Sequence, residues 1–158
     1  MGEAAKVTLF LFKSGVLPDA TQPRVARGSR LRVDLSALCE QTRRPVPDAV
    51  TAILMHVACA TSEHEEHVHG IEMCFSGDEV QSCTIWFGAA LADDDDAVAD
   101  LREEVCEALN VSAELGTESQ LLRLLPFDAR SPLAGRCETR VLEPVSYTHL
   151  TLPTICSV

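Results

Sequence analysis

Four histidines of this 158-residue chain lie close enough in sequence to suggest shared chemistry: His56, then His64, His67 and His69 within SEHEEHVHG. Neutral imidazole is a good ligand for zinc, copper or iron. On a strand, His67 and His69, two positions apart, project from one face. If 49–60 and 67–75 form a hairpin around the loop 61–66, then Ala60 opposes His67, Ala58 opposes His69 and His56 opposes Ile71. His56 then shares a face with His67 and His69, two alanines leave room, and His64, Glu65 or Glu66 in the loop supplies a further ligand to a zinc-like ion. A slip of one residue in the pairing sends His56 to the other side. The plainer alternative is a solvated polar loop, whose histidines titrate near neutral pH beside glutamates that favour the protonated ring.

Other motifs carry less. HEEH is not the HExxH of zinc peptidases. The stretch resembles the cupin HxH-then-Glu pattern only loosely, because Glu72 comes too early and no glycine run precedes it. HVHG occurs here without the flanking glycines of the copper–zinc superoxide dismutase signature. DDDD at 93–96 lacks the alternating ligands, central glycine and distal glutamate of a calcium loop, and reads instead as the acidic start of a helix. Cys59 stands near His56, but nothing around it reads as activating a nucleophile. No nucleophile elbow, phosphate-cradling glycine loop or Walker motif is present.

The elements that must position such residues follow from periodicity. KVTLFLFK (6–13) is a short apolar run of strand character, and SRLRVDLS (29–36) alternates, with Leu31, Val33 and Leu35 on one face and Arg30, Arg32 and Asp34 on the other. AVTAILMHVACA (49–60) suits a helix by its alanines and a strand by Val50, Ile53 and Val57; a strand is expected, because the apolar run 67–75 follows after a polar loop. GDE (77–79) is a turn leading to a strand at 80–88. Val98, Leu101, Val105, Ala108 and Leu109 recur at helical spacing, so 96–109 is a helix that Asn110 can end. Thr117 with Gln120 has the capping-box form and predicts a short second helix over LLRLL, and a further strand is possible at 137–142. Strands followed by helices predict an α+β fold: an antiparallel sheet of about four to five strands with one main helix, 96–109, and a short second helix packed on it.

Composition bounds the rest. A 46% apolar share allows one core, and a 4% aromatic share makes it aliphatic. The net charge of −11, with Lys6 and Lys13 the only lysines, disfavours nucleic acid and membrane surfaces as partners. The seven cysteines are scattered without CxxC spacing and sit mostly in apolar runs, so reduced, buried thiols in a cytoplasmic protein are expected.

The end of the chain reads differently. No residue from Val145 to Val158 is an acid, lysine or arginine, and VSYTHLTLPT (145–154) resembles the translation of a transposase-type sequencing-library adapter. In that frame the preceding codon must end in CT, which Pro144 satisfies. Ile155 then fits the next adapter base, Cys156 and Ser157 a sample barcode, and Val158 the last codon before an adapter stop. The resemblance implies a single acidic domain over 1–143, truncated at its C-terminal end, and a non-native tail over 144–158.

Three function classes remain. The first is a non-catalytic interaction or regulatory domain, the N-terminal part of a longer cytoplasmic protein, meeting downstream domains or a protein partner. The second is a zinc-like metal-binding protein or metalloenzyme built on His56, His64, His67 and His69. The third is a small-ligand-binding domain, with a pocket between the sheet and helix 96–109.

Overall fold

The computed structural model describes residues 6–19, 22, 25–58, 63–112 and 121–126. They form an α+β fold: a five-stranded antiparallel sheet with helices on one face. The elements run β1 (Lys6–Phe12), β2 (Ser29–Asp34), α1 (Leu35–Thr42), α2 (Val46–Ala58), a 3-10 turn (Glu65–His67), β3 (Val68–Ser76), β4 (Glu79–Phe87), α3 (Ala89–Ala92), α4 (Asp95–Leu109) and β5 (Leu122–Pro126). The strand order is β1-β3-β4-β2-β5, and every pairing is antiparallel.

The alternation expected of β2 is present: Leu31 and Val33 are buried, whereas Arg30 and Arg32 face away from the helices. The same rule places Ile71 and Met73 of β3, and Cys83, Ile85 and Phe87 of β4, in one core with Leu38, Ala49, Ile53, Leu101, Val105 and Leu109 of the helices. Gly77, at φ +61, closes the β3–β4 hairpin in a conformation that disfavours a side chain. Asp34 ends β2 and caps α1, its Oδ1 accepting the Ala37 N–H at 3.0 Å. Asp94 caps α4 in the same way, accepting from Asp96 and Ala97, and Asn110 ends it in the left-handed region at φ 55. As expected, Leu101 and Val105 are buried while Arg102 and Glu103 are not.

Two expectations are corrected. Residues 46–58 are helix α2, not a strand. Val46, Val50, Leu54 and Val57 pack against the core around buried Ala49 and Ile53, at the three-to-four-residue spacing of a helix stripe. Pro45 and Pro47 stand at its start, where a missing N–H costs little. Residues 122–126 are strand β5 rather than a short helix, and they pair with β2 from Ser29↔Pro126 to Val33↔Leu122. The possible strand at 137–142 and the tail 144–158 lie outside the described residues.

Candidate ligand face of the sheet

Because 46–58 is helical, the hairpin that would have gathered the histidines does not exist. His56 lies on α2, where its Nε2 is 3.2 Å from Glu104 Oε2 of α4; Glu104 Oε1 also accepts the Glu63 N–H at 3.2 Å. His64 stands before the 3-10 turn, and His67 ends it with Nε2 3.2 Å from Glu66 Oε1. His69 lies on β3, its ring close to Gly88: a Cβ there would be 3.1 Å from His69 Nε2. Among the described residues no group of three or more His, Cys, Asp or Glu side chains is placed to hold a metal ion. The shallow groove beside α4 is lined by Glu63, Asp100, Glu103, Glu104 and Glu107.

The chemistry gathers on the other face of the sheet, away from the helices. Directly opposed residues of neighbouring strands point to the same side, so the registers fix this face as rows. One row runs Phe12, Gly70, Trp86, Arg30, Leu125; the next runs Phe10, Glu72, Thr84, Arg32, Arg123; a third runs Thr8, Cys74, Ser82, Asp34. Trp86 is 1% exposed. Phe12 meets its ring edge-on at 5.1 Å between centroids, Phe10 does so at 6.1 Å, and the Arg30 guanidinium stands 5.6 Å from its centroid. Val16 and Val25, from the connection between β1 and β2, complete this second cluster. Gly70 makes the arrangement possible. A Cβ there would collide with Phe12 Cδ1 and the Leu11 carbonyl oxygen, so a side chain would push β1 off the sheet.

Glu72 is a buried carboxylate in the middle of a strand, 7% exposed. Its Oε2 accepts the Trp86 indole N–H at 2.9 Å, and its Oε1 accepts the Cys74 thiol at 3.6 Å, a long, weak contact. Cys74 in turn lies 3.9 Å from Thr8 Oγ1. The Ser82 hydroxyl, also on this face, is buried and has no hydrogen-bond partner. Sequence reasoning assigned none of these residues a role. The signals were present: a single tryptophan in the chain, a glutamate inside the apolar run IEMCF, and two arginines alternating with core residues in SRLRVD.

The thiols of the described residues divide by face. Cys39, Cys83 and Cys106 are buried on the helix side and Cys74 is half-buried on the other; all four are free. Burial, reinforced by nearby Cys74, pushes the Cys83 thiol up to about 12. Burial also raises Cys39, against the opposing pull of Arg44, and Cys106, against that of Arg102. Such thiols are poor nucleophiles, since the thiolate is the reactive form.

No family model and no curated protein matches this chain. Solved structures do. A schistosome eIF4E complexed with m7GpppA and 4E-BP is similar over 90% of this chain and 68% of its own, with 16% identity and a TM-score of 0.57. An Ascaris suum eIF4E-3 with m7G cap is similar over 88% of this chain and 69% of its own, at 14% identity and a TM-score of 0.56. A C. elegans eIF4E-3 bound to Mextli and a cap analog is similar over 71% of this chain and 59% of its own, at 16% identity and a TM-score of 0.52. At such identities the likeness concerns the fold, and the chain has an eIF4E-like α+β fold.

Proposed function

We infer that this chain is a small-ligand-binding domain, and that the sheet face away from the helices, around Trp86, takes a methylated guanine nucleotide of the cap type. The observation that carries this reading is the set Trp86, Glu72 and Arg30 on one face of a sheet whose structural neighbours include proteins solved with cap ligands. The chemistry suits the ligand class. A 7-methylguanine ring is planar and cationic, and it stacks favourably on an indole. Its amine and ring N–H groups are donors for a buried carboxylate, and its phosphates are anions for guanidinium groups. The buried, unpartnered Ser82 hydroxyl is a further polar group that a ligand would satisfy. Trp86 is covered by Val16 and Val25, so access to its ring requires the β1–β2 connection to shift outward. No described helix is long and apolar enough to cross a membrane. A cytoplasmic location, where free thiols stay reduced, belongs to the same reading.

The non-catalytic interaction module expected from sequence is the weaker reading. The described residues offer it the acidic groove beside α4 and the exposed apolar side chains of the β1 edge.

Trp86 is the chain's one tryptophan, so its fluorescence reports on this face alone. Emission should be blue-shifted in the free protein, as for a buried indole. It should be quenched saturably by m7GTP at concentrations where GTP has little effect. Unchanged emission with both nucleotides up to millimolar concentration would overturn the reading.

A further inference from the structure

Cys74 of β3 and Ser82 of β4 are directly opposed, so their side chains share the sheet face away from the helices, with Cβ atoms about 5 Å apart. Ser82 is 1% exposed, and its hydroxyl has no hydrogen-bond partner among the described residues. A buried hydroxyl left unpaired is uncommon and costly. Cys74 is only half-buried, and its thiol donates weakly to Glu72 Oε1 at 3.6 Å. On its other flank stands Thr8 of β1, with Oγ1 3.9 Å from the sulfur. The other described thiols, Cys39, Cys83 and Cys106, are buried in the apolar core on the helix side.

We propose that Cys74 is an oxidation site for small hydroperoxides, and that its sulfenic acid is held between Ser82 and Glu72. The sulfur attacks one peroxide oxygen as the O–O bond breaks. Sulfur is oxidised by two electrons and the peroxide is reduced. The thiol proton, passed through Glu72 Oε1, leaves on the departing oxygen, so hydrogen peroxide yields one S–OH group and one water. The new group supplies what Ser82 lacks, an oxygen to accept its hydroxyl proton. The S–OH proton in turn goes to Glu72 Oε1, replacing a weak S–H contact with a charge-assisted O–H bond. Among the described residues no second thiol stands on this face to convert the sulfenic acid to a disulfide, so it persists until an external thiol reduces it. Glu72 also holds the Trp86 indole at 2.9 Å, which carries the oxidation state of Cys74 to Trp86. This chemistry needs no nucleotide.

The test treats the whole chain with hydrogen peroxide, traps sulfenic acid with dimedone and cleaves after glutamate. That cleavage releases Cys74 in the peptide 73–79 and Cys83 in a separate one. The 73–79 peptide should carry the trap at peroxide doses that leave Cys39, Cys83 and Cys106 unlabelled. Ser82→Ala removes only an unpaired hydroxyl, so the variant should melt no lower than wild type. When dimedone is added some time after the peroxide is removed, its Cys74 label should be about fivefold weaker, the scale of one lost hydrogen bond. Trp86 emission should shift on oxidation, return with dithiothreitol and stay constant in Cys74→Ser. Labelling of Cys83 before Cys74 would overturn the assignment, as would a sulfenic acid that lives as long in Ser82→Ala as in wild type. An emission change that Cys74→Ser shares in full would also overturn it.

Discussion

Cys83 has no exposed surface, and burial pushes its thiol from the ordinary 9.0 up to about 12. The folded state therefore keeps a proton that the unfolded chain releases above pH 9. Between pH 9 and about 12 the unfolded state binds fewer protons, so stability falls as pH rises. One such group contributes up to about 1.4 kcal/mol per pH unit within that window and nothing below it. Cys39 and Cys106 are shifted in the same direction. Urea unfolding followed from pH 8 to 11 should show a falling midpoint, and a Cys83→Ala variant, less stable at pH 8, should show a shallower fall. An unchanged slope would mean that Cys83 is not the thiol responsible. The residue scale also explains the histidines. Their spacing in SEHEEHVHG is real, but spacing gathers side chains only when the backbone between them is regular, and here a 3-10 turn separates His64 from the strand that holds His69.

At the scale of elements, α4 depends on its first turn. Asp94 Oδ1 accepts two otherwise unpaired N–H groups, at 3.1 Å each. Asp94→Ala should therefore destabilise the protein by about 1 kcal/mol, read as a lower urea midpoint. Asp95→Asn, which removes charge but no cap, should have a smaller effect. This helix was legible in sequence because capping acids, apolar stripe and terminal Asn110 agree. Strands β1 to β4 were legible because alternation and turn residues bounded them. Segment 46–58 was not: β-branched residues at Val50, Ile53 and Val57 favoured a strand locally, and packing against α4 and the sheet overrode that preference. LLRLL likewise became a strand because β2 had a free edge to pair. The open face was legible only in fragments, since its rows join residues of five strands and no local pattern records which strands are neighbours.

At the scale of the molecule, the net charge averages over an uneven surface. The acids of α4 (Asp95, Asp96, Asp100, Glu103, Glu104 and Glu107) lie on the helix side, whereas Lys6, Arg30, Arg32 and Arg123 lie on the open sheet face. An average of −11 thus conceals a face on which four cationic side chains stand beside Asp34 and Glu72. The reading of 144–158 as adapter-derived is also a claim about the whole molecule. Deleting 145–158 should leave the unfolding free energy within roughly 0.5 kcal/mol of the full chain, and a larger loss would mark the tail as native. Among the described strands β1 is an edge, Val7 and Leu11 on it are 56% and 43% exposed, and the chain's only two lysines, Lys6 and Lys13, bracket it. Charges at the ends of an apolar edge discourage strand addition from other molecules. Apart from the N-terminal amine, amine-directed chemistry therefore has a single address on this protein. Acylation, lysine crosslinking or amine coupling to a surface would all strip the guard charges from β1, and material treated that way would be primed to stack into aggregates.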